Sequence, residues 1–332
     1  MLYALHHFMF AWKNLPRPIV ALAPMAGYTD SAYRQLVKSL APSVIVFSEF
    51  VSSDALHFGS KKTKKMLAFA RQEQPFIAQI FGKQPSHFAE AARTVENLGA
   101  AGVDLNFGCP ARKVVNSDHG SALLRNPKLA NEIIVATVKA VRIPVSVKMR
   151  LGVNDANNLS EFAQMCADSG VKLLTIHGRS AKQMYRGEAE FKSIYEVKQK
   201  LSSRFGNEVA ILGNGDINSV TKFHEKLGNL DGLMIGRATI ANPWLMREIT
   251  NSIAKKKSCS PKTLKKKLPV ILKHARLMVK VKGEERGILE MRKFLANYVK
   301  GEIGAKKLRA KLVQVKTLTE VEQLLQKITE LH

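Results

Sequence analysis

Cysteine is scarce in this chain of 332 residues, and the three that occur, Cys109, Cys166 and Cys259, form no C-x-x-C pair. So few thiols at such spacing exclude a disulfide framework and a zinc-binding set. We therefore expect no metal site. The low count is typical of the reducing cytoplasm, where thiols stay free.

Signals for export or membrane insertion are also missing. Residues 1–17 form an N-terminal extension whose apolar part, Met1 to Trp12, has neither a basic start nor a small-residue cleavage site. This stretch is too short to span a bilayer. A basic amphipathic helix with aromatic anchors, which would indicate a membrane surface, is not evident either. We expect a monomeric cytoplasmic protein without a membrane partner.

Acidic residues are few: 27 Asp and Glu stand against 52 Lys and Arg, for a net charge of +25. Residues 251–332 hold 21 of these basic residues and 7 of the acidic ones, which leaves an excess of 14 there and of 11 in the first 250 residues. Excess positive charge of this size attracts polyanions, of which nucleic acid is the usual one.

From residue 19 to about residue 252, short apolar runs alternate with amphipathic stretches, which is typical of βα units and parallel strands. The predicted strands are 19–23, 44–48, 76–81, 103–106, 145–149, 173–176, 209–212 and 232–235. The predicted helices between them include 31–40, 85–98, 127–141, 159–169, 191–201 and 219–227. Eight such units predict a (β/α)8 TIM barrel. An open doubly wound sheet is the alternative, but its G-x-G-x-x-G at the first turn is absent.

The alternation stops after residue 252. Residues 254–267 are rich in lysine and read as a linker, and helical periodicity then continues to the end with glycine breaks near 283 and 301–304. We therefore expect three parts: an extension at 1–17, a catalytic barrel at 18–252 and a small, basic, all-helical domain at 253–332.

Cys109 stands out because of its neighbours. An apolar run that includes Val103 and Leu105 ends at Gly108-Cys109-Pro110. Glycine permits backbone geometry that other residues resist, and proline fixes its own φ angle. These neighbours favour a reactive thiol on a rigid elbow, exposed just past a strand. A buried packing cysteine is the alternative, but it gives no reason for Gly and Pro on either side.

A TIM barrel places its chemistry at the carboxyl ends of its strands. Polar residues or glycines follow every predicted strand, at 24–27, 49–50, 79–82, 106–109, 148–150, 177–179, 213–216 and 236–237. Each alone is compatible with an ordinary turn, but together they predict a site. Glycines after the last two strands, with Arg237 beside them, suit a phosphate. Lys148 and His177 end apolar strands and are predicted to face the barrel mouth.

Taken together, these strand ends resemble the tRNA-dihydrouridine synthases, flavin enzymes that reduce a uracil in tRNA, and the bacterial B-type branch is the most similar. The resemblance is dense over about residues 18–250 and thin around Met291-Arg292-Lys293 and Lys300-Gly301. The matching segments are Ala23-Pro24-Met25-Ala26-Gly27-Tyr28-Thr29-Asp30, Gln79-Ile80-Phe81-Gly82, Asn106-Phe107-Gly108-Cys109-Pro110, Gly120-Ser121-Ala122-Leu123-Leu124, Val147-Lys148-Met149-Arg150-Leu151-Gly152, His177-Gly178-Arg179-Ser180, Asn214-Gly215-Asp216-Ile217 and Ile235-Gly236-Arg237-Ala238.

The resemblance implies Cys109 as the proton donor, FMN as the cofactor, NADPH or NADH as the electron donor and tRNA as the partner. The implied FMN-binding residues are Pro24, Met25, Ala26, Gln79, Lys148, His177, Asn214, Gly215, Asp216, Gly236 and Arg237. The residues implied or predicted to face the substrate are Asn106, Arg150, Arg179, Arg286, Arg292 and Lys293. Val115 departs from the family, which often has a polar residue there, and the following Asn116-Ser117-Asp118 is less basic than is common.

Two other functions fit parts of the sequence. One is a flavin oxidoreductase for a small molecule, of the dihydroorotate dehydrogenase type, but a small metabolite needs no basic tail. The other is an RNA-binding barrel without catalysis, but the presence of Cys109, Lys148 and His177 together argues against it.

Overall fold

The computed structural model describes residues 10–330, apart from 116, 157, 241, 258–260, 262 and 303; Cys259 and Asn116 thus lie outside the described residues. The strands are β1 (Ile19–Leu22), β2 (Ile45–Phe47), β3 (Val51–Ser52), β4 (Phe76–Phe81), β5 (Gly102–Phe107), β6 (Val145–Arg150), β7 (Leu173–His177), β8 (Ala210–Asn214) and β9 (Gly232–Ile235).

All strand pairs are parallel, and eight strands close into a barrel. Strand β1 pairs with β9 along its whole length, from Ile19 opposite Gly232 to Leu22 opposite Ile235. It pairs with β2 on its other side, and β2 pairs with β4. The prediction of a TIM barrel is confirmed, and the β1–β9 pairing excludes an open sheet. The two-residue β3 was not predicted; it follows β2 along the same edge of β4 and pairs with the carboxyl end of that strand.

The helices surround the barrel and then continue beyond it. They are α1 (Ser31–Leu40), α2 (Ser53–His57), α3 (Lys61–Met66), α4 (Pro85–Asn97), α5 (Arg112–Val115), α6 (Pro127–Ala140), α7 (Leu159–Asp168), α8 (Lys192–Phe205), α9 (Val220–Leu227), α10 (Trp244–Ile253), α11 (Leu264–Lys282), α12 (Glu284–Tyr298), α13 (Ala305–Leu312) and α14 (Leu318–Glu330). Helices α11 to α14 are called the C-terminal helices below.

Alternate residues of each strand serve two cores. On β1, Ile19 and Ala21 belong to a cluster inside the barrel, whereas Val20 and Leu22 pack outward in the larger cluster that contains the helices. This alternation follows from the two-residue period of a strand. Trp12 joins the inner cluster, with its ring centroid 6.3 Å from that of Phe47. The described part of the N-terminal extension therefore packs against the barrel.

Aromatic side chains join the C-terminal helices to the barrel. Phe294 and Tyr298 of α12 are buried, and the ring of Phe294 stacks on Tyr33 of α1 with centroids 5.4 Å apart. Hydrophobic burial of this kind holds the helices in place. The only two aromatic residues of 251–332 therefore contribute to the core.

Ion pairs and hydrogen bonds reinforce the same junction. Lys282 of α11 lies 2.5 Å from the carboxylate of Asp30, which also caps the first turn of α1 by accepting a hydrogen bond from Tyr33. Lys293 of α12 donates to the carbonyl of Gly27, in the loop that follows β1. The C-terminal helices thus contact the rim of the barrel at the end of β1.

Candidate active site

A cavity of about 500 Å³ opens at the carboxyl ends of the barrel strands. Its lining contains most of the residues that were predicted from the sequence: Pro24, Met25, Gln79, Asn106, Cys109, Lys148, Arg150, His177, Asn214, Gly215, Asp216, Gly236 and Arg237. Ala26 and Arg179 are neighbours of lining residues but do not line the cavity themselves. The strand ends therefore converge at one mouth, which is what parallel closure of the barrel requires.

The elbow at Cys109 is held from three directions. The Asn106 side-chain oxygen accepts the backbone N–H groups of Gly108 and Cys109, at 3.1 and 2.9 Å. The Cys109 carbonyl accepts from the N–H of Ser121 at 3.1 Å, and the Gly108 carbonyl accepts from Arg150 at 2.9 Å. These bonds leave the thiol a defined position at the edge of the cavity.

Gly120 allows the loop after Cys109 to fold back on it. Its φ angle is +61°, and a Cβ atom there would lie 2.8 Å from the Cys109 carbonyl oxygen. Such contact and such backbone geometry both require glycine. The Cys109 side chain is half-buried, and burial raises the pKa of its thiol above the usual value. Cys109 therefore carries a proton at neutral pH, as a general acid must.

A hydrogen-bond chain supports this elbow from the barrel floor. The buried carboxylate of Asp104 accepts from Gln79 and from Ser146, both at 2.6 Å. The Gln79 side-chain oxygen accepts from Asn106 at 2.9 Å, and Asn106 holds the Cys109 loop. Burial raises the pKa of Asp104 to about 6. Sequence reasoning missed the supporting role of Asp104, because the partners come from different strands.

Lys148 of β6 points into the mouth, where its ammonium donates to the side-chain oxygen of Asn214 at 3.1 Å. Burial, with Arg150 nearby, lowers the pKa of Lys148 to about 8. Burial also lowers the pKa of His177 to about 2, again with cations nearby, so its imidazole is neutral. His177 Nδ1 is buried and has no hydrogen-bond partner among the described residues. It is therefore available to a ligand.

Arg150 and Arg179 are almost completely buried, at 3% and 2% exposure. Arg150 donates to the carbonyls of Ser180 and Met184, at 2.9 and 2.8 Å. Arg179 donates to the Gly187 carbonyl at 2.6 Å and pairs with Asp216 at 2.5 Å. Both guanidinium groups hold the loop after β7 against the rim.

Tyr185, in that loop, lines the cavity and was missed by the sequence reasoning. It is 52% exposed, and the guanidinium carbons of Arg150 and Arg237 lie 5.6 and 4.4 Å from its ring centroid. Cation–π contacts of this kind orient an aromatic ring. The sequence feature that could have indicated Tyr185 is a single aromatic residue in a polar segment, eight positions after His177.

The glycines after β8 and β9 differ in their roles. A Cβ atom on Gly213 would lie 2.6 Å from Phe191, so this glycine serves packing. Gly215 lines the mouth with a φ angle of +123°, and Gly236 lines it beside Ala23 and Met25. Two of the predicted strand-end glycines thus bring backbone to the cavity.

The three cations predicted in the tail are engaged with the protein. Arg286 of α12 pairs with Glu290 at 2.7 Å and is 65% exposed. Arg292 donates to the carbonyls of Val315 and Gln314, at 2.9 and 3.4 Å, just after α13. Lys293 donates to Gly27, and its ammonium lies 5.0 Å from the Tyr28 ring centroid. Only the Arg286 side chain extends largely into solvent.

The described ranges contain neither a metal-binding cluster nor a membrane-spanning helix. No group of three His, Cys, Asp or Glu side chains there is arranged to hold a metal ion. None of the helices in these ranges combines the length and the apolar character needed to cross a membrane.

The closed barrel and the cation-lined mouth with a protonated thiol define a TIM-barrel enzyme. The model of the dihydrouridine synthase (Dus) family matches residues 21–332. The chain therefore belongs to the dihydrouridine synthase family of flavin-dependent oxidoreductases, and the family predicted from the strand ends is confirmed.

Similar proteins carry the corresponding names. The tRNA-dihydrouridine synthase B of Pseudomonas aeruginosa is 37% identical over 300 residues, which cover 90% of this chain and 88% of that protein. A probable tRNA-dihydrouridine synthase of Rickettsia bellii is 36% identical over 286 residues, 85% of this chain and 86% of the relative.

Among solved structures, histamine dehydrogenase from Rhizobium sp. 4-9 superposes with a TM-score of 0.52 at 14% identity. The match covers 78% of this chain and 48% of the other, so this chain spans about half the length of that structure. At this identity the likeness concerns the fold alone.

Proposed function

We propose that the protein reduces the C5=C6 double bond of specific uridines in tRNA, in the D-loop, with FMN in the mouth and Cys109 as proton donor. One observation carries the proposal: a thiol that stays protonated stands on a fixed elbow, in the same cavity as Lys148 and the unpartnered His177. The proposal retains NADPH or NADH as electron donor, a cytoplasmic monomer and the division at residues 17 and 252.

The residues of the mouth fit FMN. The volume of the cavity, about 500 Å³, lies in the range of cofactor pockets. Lys148 and Asn214 would hold the polar edge of the flavin ring, and His177 Nδ1 would gain a partner. Gly215, Gly236 and Arg237 would hold the phosphate, because glycine backbone approaches closely and arginine pairs with phosphate oxygens.

The reaction needs a hydride at C6 of uracil and a proton at C5. When bound, reduced FMN supplies the hydride. Negative charge then spreads over C5 and O4 of the uracil until C5 takes the proton of the Cys109 thiol. The thiolate left behind is stabilised by the charges of Arg150 and Lys148, which act on the pKa of Cys109 in this direction. The proton transfer and the stabilisation of the thiolate thus use groups already on the rim.

A uracil inside folded tRNA cannot reach this mouth without leaving its stack. Extruding a base costs roughly a few kcal/mol, which phosphate contacts help to offset. The C-terminal helices adjoin the mouth through Lys293 and carry much of the positive charge. They would therefore bind the tRNA backbone while the base enters the barrel.

Mass spectrometry of tRNA tests the proposal. The purified protein, reconstituted with FMN and NADPH, should convert uridines of an in vitro transcript into products heavier by two hydrogens. Transfer RNA from cells without the protein should lack the same modification. The proposal fails if the loaded enzyme oxidises NADPH and reduces a small substrate such as orotate, yet leaves every uridine unchanged.

A further inference from the structure

The segment between β3 and β4 carries a cluster of positive charge that is separate from the charge of the C-terminal helices. Helix α3 contains Lys61, Lys62, Lys64 and Lys65, and all four side chains are exposed. Within the described part of the chain, none of these lysines forms an ion pair. The single acidic residue of 51–70 is Asp54, and it contacts histidines. Four ammonium groups therefore face solvent without a counterion.

An exposed aromatic ring lies next to these lysines. Phe58, which follows α2, is 79% exposed. Its ring centroid lies 4.8 Å from that of His57 and 5.9 Å from that of His87, and the two histidines stack 3.9 Å apart. A phenylalanine left in water forgoes the stabilisation that burial of its ring would give. Nucleic-acid bases stack on such rings whatever their sequence.

Side-chain contacts connect this segment to the catalytic loop. Asp54 lies 2.7 Å from the ring of His87, at the start of α4, and 3.8 Å from the ring of His119. His119 precedes Gly120, which packs on the Cys109 carbonyl. Strand β3 pairs with the carboxyl end of β4, where Ser52 lies opposite Phe81. The segment thus belongs to the rim of the mouth.

We propose that Phe58 and the four lysines of α3, together called the α3 surface, form a second tRNA-binding surface. This inference rests on the proposed function. The lysines would contact backbone phosphates, and Phe58 would stack on one unpaired base. Lysines that form no ion pair among the described residues match a polyanion, and the C-terminal helices adjoin the rim elsewhere, at the end of β1. A tRNA that inserts a base into the mouth would therefore be bound on two sides, by the α3 surface and by the C-terminal helices.

The test compares two variants with the same net charge. In the first, Lys61, Lys62, Lys64 and Lys65 become glutamine, which keeps helix propensity. In the control, four exposed cations at the other end of the barrel, Lys139, Arg142, Lys172 and Lys200, become glutamine. The affinity of FMN-loaded protein for a tRNA transcript is measured across a salt series. Circular dichroism and flavin absorbance check that both variants fold.

The α3 variant should bind about tenfold more weakly, and the slope of log affinity against log salt should fall by roughly 3, at about 0.7–0.9 for each of four phosphate contacts. The control should stay within twofold of the wild type. Phe58→Ala should weaken binding about tenfold with little change in slope, since stacking on a base contributes about 1–3 kcal/mol. Phe58→Trp should restore it.

Equal affinity and slope in the α3 variant and the control would overturn the inference and make α3 a solvated face. Wild-type affinity in Phe58→Ala would show that the Phe58 ring does not contribute to tRNA binding. If the wild type itself neither binds tRNA nor forms dihydrouridine, the proposed function has failed instead. These results are distinguishable because the first two require a wild type that is active on tRNA.

Discussion

The barrel mouth and the C-terminal helices are both basic, but they use positive charge differently. In the mouth, Arg150 and Arg179 are buried and donate to loop carbonyls, and Lys148 donates to Asn214. In α13, the side chains of Lys306, Lys307, Arg309 and Lys311 are exposed. Buried cations shift the pKa values of their neighbours and fix loops, whereas exposed ones create a field that attracts a polymer. One region thus suits chemistry and the other suits binding.

Removing the thiol should produce the largest effect in the mouth. We expect Cys109→Ala to reduce dihydrouridine formation by at least about 10²–10⁴-fold, the usual contribution of general acid catalysis. Reduction of bound flavin by NADPH should survive, because the thiol acts on the uracil alone. Single-turnover kinetics with separate readouts for flavin and for tRNA would measure both steps.

Cys166→Ala is the matched control for that variant. Cys166 lies buried in α7, away from the mouth, and its burial raises the pKa of its thiol. Its removal should lower thermal stability and leave dihydrouridine formation in place. Product formation by Cys109→Ala at the wild-type rate would make Cys109 a packing residue.

The charge of Lys148 should have the next largest effect. We expect Lys148→Met to reduce dihydrouridine formation by about 10²-fold, as removal of a single electrostatic contact to the reacting group often does. The pKa of Lys148 is lowered to about 8, so the wild type carries this charge below pH 8 and loses it as the pH rises further. Activity should therefore fall above about pH 8 in the wild type and stay flat there in Lys148→Met.

Burial raises the pKa of the Cys109 thiol, so this group loses its proton at a higher pH than an exposed cysteine does. A pH profile of product formation from pH 6 to 9.5 on both proteins is sufficient. Lys148→Arg, which stays charged, should retain activity above pH 8. The same alkaline decline in Lys148→Met would assign it to another group.

The comparison also separates what the sequence could predict from what it could not. Strand ends are local features, so the barrel followed from the alternation along the chain, and the Cys109 elbow and the positions of Lys148 and His177 followed from the residues at the strand ends. Asp104 and Gln79 lie on different strands, and their hydrogen bond depends on register across the sheet. Arg179 was expected to face the substrate, and only the folded loop reveals its carbonyl partners. Charge counts locate a basic region but do not distinguish free from engaged cations.

The smallest expected effect comes from a comparison of two groups of cations within the C-terminal helices. Replacing Lys306, Lys307, Arg309 and Lys311 of α13 by glutamine should lower the salt slope of tRNA binding by roughly 3, at about 0.7–0.9 per phosphate contact. Replacing Arg286, Arg292 and Lys293 by glutamine should lower it by about 1 or less on the same scale. The reason is that Arg292 and Lys293 already donate to backbone carbonyls, so Arg286 alone extends largely into solvent.

The thermal stabilities of the two variants should change in the opposite order, with the larger loss in the triple variant. The triple variant loses the bonds from Arg292 to Val315 and from Lys293 to Gly27, and a hydrogen bond from a charged group contributes about 1.5–3 kcal/mol. Its thermal midpoint should therefore fall, while that of the α13 variant stays near the wild type because surface charges contribute little. Calorimetry and a salt titration on both variants measure the two quantities. A triple variant with wild-type stability and a strongly flattened slope would mean that Arg292 and Lys293 leave their carbonyls to bind phosphate.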